Sequence, residues 1–238
     1  MKKNIPHFFT SLNLTCGCIA ILSLSNDNYN ASVIFCLLAF LFDYADGFFA
    51  RLLKKESTFG KELDSFSDFV TSGVVPGLVM YKLLVKSGLT EKHIFSDLLN
   101  ISFNFSPSSL TGFFITIATA FRLAKFNLMK TETRHFLGLP APANCMMIIG
   151  LPFVFEFFGE KYLNYNLLII VTLISGYMLN SKIKLISLKN VNVYIVSSLF
   201  FLVGTLILTT NFGILTIIIC LYVLFSLIYF QFRSQLFS

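Results

Sequence analysis

Apolar runs close to bilayer length recur along this 238-residue chain and leave it few folds to adopt. A bilayer core asks for about 20 apolar residues per helix. Inside it, each backbone N–H and C=O must be satisfied by the segment's own helix. Such runs cover about 7–25, 31–49, 63–85, 109–128, 141–158, 165–180, 193–210 and 213–232. The expected fold is therefore all-α: a polytopic integral membrane bundle of about eight transmembrane helices. Charged residues make up 13% of the chain, whereas a soluble domain carries about 25%. No polar stretch is long enough for a second globular unit. We expect one membrane domain over 1–238, with a core at 1–180 and a C-terminal helical hairpin at 181–238, turned tightly at Asn211 and Phe212.

Details of the runs refine this expectation. The first follows Lys2 and Lys3 as a secretory leader would, but no small-x-small cleavage site follows it and apolar runs continue, so it reads as a retained helix. The third contains Gly73, Pro76 and Gly77, which predict a kink or a close helix contact. Lys86 to Ser108 is the longest polar insertion and reads as surface loop or interfacial helix. With a cytoplasmic N-terminus, all of the 18 Lys and Arg fall on the inner side except Lys82, Lys86, Lys92 and Lys161. The positive-inside rule then places both termini in the cytoplasm. The net charge of +6 reflects this topology and calls for no nucleic acid partner. Cys16, Cys18, Cys36, Cys145 and Cys220 lie in apolar runs without CxxC spacing, and the three histidines form no metal motif.

The chemistry concentrates between Asp43 and Asp68, in DYADGFFARLLKKESTFGKELDSFSD. Asp43 and Asp46 are three apart and Asp64 and Asp68 four apart, so each pair shares one helix face. Each pair stands where an apolar run meets a polar loop. Four neighbouring acids repel one another, and hard divalent cations such as Mg2+ or Mn2+, which prefer carboxylate oxygen, relieve that repulsion. Gly47 and Ala50 give a bulky ligand room to approach the helix backbone. Arg51 supplies a permanent cation for phosphate oxygens, and Gly60 permits a tight loop path before Asp64. Metal, arginine and small residues together point to a pyrophosphate held at a membrane surface. A divalent-metal transporter also places acids in membrane helices, but near the midplane along a pathway, whereas these sit at one face.

The pattern D-x2-D-G-x2-A-R-x8-G-x3-D-x3-D is filled at every position and resembles the signature of the CDP-alcohol phosphatidyltransferases. Further stretches resemble that family's bacterial phosphatidylserine synthase branch: IPHFFTSLNLTCG, with His7 where that branch commonly has Asn, GKELDSFSDFVTSGVVPGLVMY, RLAKFN and FLGLPAPAN. The likeness covers residues 5–144.

Position by position, the resemblance implies that Asp43, Asp46 and Asp64 ligate two divalent metals, with Asp68 completing the second site. Asp68 is also implied as the general base. Gly47, Ala50 and Gly60 would line the cytidine nucleotide pocket, and Arg51 would hold a phosphate. The implied reaction transfers the phosphatidyl group of CDP-diacylglycerol to L-serine at the cytoplasmic face of the inner membrane, giving phosphatidylserine and CMP. Phosphatidylglycerophosphate synthase shares the aspartates but uses glycerol 3-phosphate, and remains the alternative. Arg122, Lys125 and Asn127 are the candidates for holding serine, although basic residues there also satisfy the positive-inside rule. Asn13 has two readings: a polar wall of the nucleotide site or an interhelical hydrogen bond. Membrane lipids are the expected surroundings, and a homodimer is compatible with the sequence.

Overall fold

The computed structural model describes residues 5–53, 57–87, 107–128, 136–159, 162–185 and 211–236. The run expected at about 193–210 lies outside them, as does most of the 86–108 insertion. Among the described residues the protein is helical, and four helices are long and apolar enough to cross a membrane: Pro6–Ser25, Tyr29–Leu52, Thr58–Lys86 and Ala141–Phe158. Tyr165–Asn180 and Gly213–Tyr229 are shorter apolar helices.

Helix α1 (Ile5–Ser25) and α2 (Tyr29–Leu52) pack along their lengths. The turn between them holds Asp27 at φ 56°, and the Asn28 side chain caps α2 by accepting from the Ala31 N–H at 3.0 Å. At the other end of the pair, the Phe9 and Phe49 rings stack with centroids 5.1 Å apart. That contact fixes the start of α1 against the end of α2. Ser57 caps α3 (Thr58–Phe69), its hydroxyl oxygen accepting from the Gly60 N–H at 3.0 Å. The helix thus begins five residues before the expected Leu63. Gly60 stands in its first turn and not in a loop, because the serine cap starts the helix upstream of the apolar run.

The irregularity expected around Gly73, Pro76 and Gly77 is a π-helical turn at Val70–Val74, joining α3 to α4 (Val75–Lys86). Pro76 has no N–H to continue the α pattern. The Val75 N–H reaches back to the Val70 carbonyl, so the Thr71 carbonyl loses its usual helical donor and accepts instead from the Cys145 thiol at 3.3 Å. The Gly73 carbonyl accepts from the Thr116 hydroxyl at 2.9 Å. Side chains of neighbouring helices thereby satisfy a backbone that the bilayer would leave unpaired.

A 3-10 turn at Ser108–Phe113 leads into α5 (Phe114–Leu128), and α6 (Ala141–Ile149) and α7 (Leu151–Phe158) divide the fifth run at Gly150. Helix α8 (Tyr165–Asn180) packs on α5, and α9 (Gly213–Leu236) packs on α6 and α7. The main core joins α1, α2, α4, α6 and Phe212, with Leu24, Val33, Met80, Leu84 and Ile148 fully buried.

A two-residue ladder joins two loops of this helical fold. Phe136–Leu137 (β1) pairs antiparallel with Lys184–Leu185 (β2). Beside it Gly138, at φ 70°, donates to the Ile183 carbonyl, and the Leu139 N–H donates to that of Met178, each at 2.9 Å. Backbone groups beyond the end of α8 need partners, and this strand of loop supplies them.

Gly112 shows how closely the helices approach. A Cβ there would lie 2.6–3.0 Å from backbone atoms of Met80 and Tyr81. Gly112→Ala should therefore push the 3-10 turn off α4 and cost about 1–3 kcal/mol. A lower thermal midpoint in detergent is the expected reading, and an unchanged midpoint would contradict this packing.

Candidate active site

Three carboxylates converge where α2 meets α3. Ligand oxygens of Asp43, Asp64 and Asp68 lie within 4.8 Å of one another. Asp43 projects from the C-terminal half of α2, and Asp64 and Asp68 stand one turn apart on α3. Asp46 belongs to the same end of the bundle but turns toward α1. It is 6% exposed, and its Oδ2 accepts from the Thr10 hydroxyl at 2.7 Å.

The donor set fits a divalent cation. Oδ1 of Asp64 and Oδ1 of Asp68 are buried without a hydrogen-bond partner among the described residues. A buried carboxylate oxygen is ordinarily paired, and three acids this close must share protons or be bridged by cations. All the donors are hard oxygens, as Mg2+ and Mn2+ require. Asp43, Asp64 and Asp68 are the residues that would hold such an ion, with Asp46 adjoining.

Gly47, Ala50 and Gly60 lie on the two helices that carry the acids. A Cβ on Gly47 would meet only the guanidinium of Arg51, at 3.6 and 3.9 Å, both ordinary contacts. Packing alone therefore does not demand glycine there. Arg51 is exposed and folds back along its own helix over Gly47, one residue from Asp46. Ala50 lies on α2 next to it. Gly60 faces His7: a Cβ would fall 3.1 Å from the imidazole Cε1. His7 meets Phe59 edge-on at 5.5 Å, and its Nδ1 is buried without a partner among the described residues.

Asn13 is fully buried. Its Oδ1 accepts from the Thr71 hydroxyl at 3.1 Å, the interhelical bond that was one of its two readings. The Ser67 hydroxyl donates to the Thr10 carbonyl at 3.0 Å, tying α3 to α1 between the two acids of the second pair. Thr10, Ser67, Thr71 and His7 are the site residues that the motif alone did not single out. Thr10 and Asn13 stand three apart on α1, a spacing that in hindsight marks one polar face within an apolar run.

The RLAKFN residues divide. Asn127 reaches the acid-bearing helix, its Nδ2 donating to Ser65 Oγ at 2.9 Å, next in sequence to Asp64. Arg122 Nη1 donates to the carbonyls of Leu179 at 2.7 Å and Leu137 at 3.1 Å, fastening α5 to the end of α8 and to β1. Lys125 Nζ donates to Asn180 Oδ1 at 3.2 Å. All three thus occupy the end of α5 that adjoins α3, the end that carries the acids.

A cavity of about 960 Å³ opens at the other end of the bundle, bordered by Asn28, Tyr81, Lys82, Phe153 and Glu156. The 21 residues of α1, about 31 Å of helix, separate these two ends. None of the acidic stretch lines that cavity.

Comparison with known proteins follows this geometry. A family model described as CDP-alcohol phosphatidyltransferase matches residues 3–230. The chain is 33% identical over 180 residues to the CDP-diacylglycerol–serine O-phosphatidyltransferase of Bacillus subtilis (strain 168), covering 76% of this chain and 88% of the relative. It is 29% identical over 180 residues to the protein of the same name from Methanocaldococcus jannaschii, covering 76% and 72%. The archaetidylserine synthase of Methanothermobacter thermautotrophicus is 32% identical over 146 residues, covering 60% and 55%.

Gly47 offers a direct test of whether its missing side chain serves a ligand. Gly47→Ala should leave the thermal midpoint unchanged or raise it, since alanine favours a helix by about 1 kcal/mol over glycine. The KM for the nucleotide substrate should rise several-fold, on the order of the 1–3 kcal/mol cost of overpacking a fitted contact. Wild-type kinetics in this variant would show that no ligand approaches the helix here.

Proposed function

The chain belongs to the CDP-alcohol phosphatidyltransferase family, and on that premise we propose that it transfers the phosphatidyl group of CDP-diacylglycerol to L-serine. The products are phosphatidylserine and CMP. The observation that carries this reading is the convergence of Asp43, Asp64 and Asp68 within 4.8 Å, beside Gly47 and Arg51. The choice of serine is supported by the names of the relatives that cover most of their length with this chain.

The serine hydroxyl attacks the phosphatidyl phosphorus, and the bond from that phosphorus to the CMP oxygen breaks. Asp68 receives the hydroxyl proton, the work of a positioned general base. Arg51 grips a phosphate oxygen of the pyrophosphate, while Gly47, Ala50 and Gly60 leave the nucleotide room against α2 and α3. Asp43, Asp46, Asp64 and Asp68 would hold two Mg2+ or Mn2+ ions, which when bound would supply charge neutralisation at the pyrophosphate. Arg122 keeps Nε and Nη2 for the serine carboxylate after Nη1 has bonded the two carbonyls, and Lys125 and Asn127 flank it.

We place this end of the bundle at the cytoplasmic face, with eight spans and both termini in the cytoplasm. The distribution of Lys and Arg supports that orientation. It lets CDP-diacylglycerol keep its acyl chains in the bilayer while serine arrives from water.

Purified protein given CDP-diacylglycerol should release CMP with serine as acceptor, and neither glycerol 3-phosphate nor inositol should substitute. EDTA should abolish the release, with Mg2+ or Mn2+ restoring it. Turnover with glycerol 3-phosphate alone would move the chain to another branch of the family, and full activity in EDTA would remove the metals.

Orientation is tested separately. A membrane-impermeant maleimide added to sealed cells should label Asn26→Cys above the background of native thiols but not Lys61→Cys. The reverse pattern would place the acids outside, away from cytoplasmic serine.

A further inference from the structure

A fully buried asparagine in an apolar helix carries two N–H donors and a carbonyl that the bilayer will not solvate. Asn13 settles half of this with the Thr71 hydroxyl on Oδ1. Its Nδ2 has no hydrogen-bond partner among the described residues, and neither has Oδ1 of Asp68; both atoms are buried. These two unpaired atoms lie on one face of the α1–α3 contact, because Asn13 bonds Thr71 and Thr71 stands three residues beyond Asp68.

The surroundings hold this pair in register. Ser67, the residue before Asp68, is anchored to the Thr10 carbonyl at 3.0 Å. Thr71 lies in the π-helical turn just after Asp68, and its hydroxyl is within 2.6 Å of the Ser67 carbonyl and 3.1 Å of Asn13. Asp68 is thus bracketed by two side chains that tie its helix to α1 on the face where Asn13 stands.

We propose that Asn13 is a positioning residue for Asp68, donating from Nδ2 to the carboxylate and held in that orientation by Thr71. The amide aims the carboxylate so that its other oxygen meets the incoming acceptor hydroxyl. This rests on the reading of Asp68 as the general base, and it replaces a nucleotide-binding role for Asn13.

The test is a double-mutant cycle on the full-length protein in mixed micelles, with kcat and both KM values measured. Loss of a hydrogen bond to a charged group predicts that Asn13→Ala lowers kcat by about 10–100-fold. The KM values for CDP-diacylglycerol and for serine should stay within about 2-fold of wild type, since ground-state binding is untouched. In an Asp68→Asn background, Asn13→Ala should cost nothing further, because a residue that acts through another loses its effect with it. Thr71→Val should lower kcat in the same direction, and Thr71→Ser, which keeps the hydroxyl, should restore it.

A raised KM for CDP-diacylglycerol with kcat unchanged would return Asn13 to the nucleotide and overturn the proposal. Losses that multiply with that of Asp68→Asn would also overturn it while leaving Asp68 as the base. Wild-type kcat in Asp68→Asn would instead remove the base itself. Should Asn13→Ala fail to fold, the Thr71 pair decides: full kcat in Thr71→Val overturns the proposal.

Discussion

Three carboxylates within 4.8 Å, inside a bundle built for a bilayer, are the arrangement on which this site depends. Like charges at that distance repel strongly wherever the surroundings are poor in water. Such a cluster persists only if the helices carrying it are fixed against each other and something positive enters between them. The fold supplies the first condition. Phe9 stacks on Phe49 at the mouth of the α1–α2 pair, and Ser67 fastens α3 to α1. The acids meet the second, since Asp64 keeps a buried carboxylate oxygen with no hydrogen-bond partner among the described residues.

Helix α1 contributes no acid, yet it organises the others. Thr10 holds Asp46, and one turn on, Asn13 accepts from Thr71. An apolar helix that carries two buried polar side chains on one face must satisfy them inside the protein, because lipid will not. The acids and their neighbours on α2 and α3 are the groups that meet this need. The π-helical turn serves the same end. By inserting a wider turn directly after Asp68, it brings Thr71 to Asn13 and releases the Thr71 carbonyl for Cys145. π turns recur at functional sites because they re-aim side chains without breaking a helix.

The end of α5 connects this centre to the remainder of the bundle. Asn127 reaches α3 beside Asp64, while Arg122 and Lys125 reach the end of α8. One short basic segment therefore ties the acid-bearing helix to the far side of the molecule. Two carbonyls, those of Leu137 and Leu179, fix the Arg122 guanidinium at this junction.

The sequence by itself determined that the chain is helical and membrane-spanning, because apolar runs of bilayer length admit little else. It also determined which end carries the chemistry, because carboxylates at three- and four-residue spacing must share a helix face. The irregularity near Pro76 was legible for the same local reason, a missing N–H. Only the tertiary structure decided that Asp46 would turn to Thr10 while Asp43 joined Asp64 and Asp68. Only there does Gly60 meet His7, and only there does the loop around Gly138 pair with the segment after α8. Those outcomes depend on how far α1 is rotated against α2 and α3, and on which carbonyls remain unpaired once the helices have packed. Periodicity along one helix says which residues lie together on a face, but the partner of that face is set by packing between segments far apart in the chain.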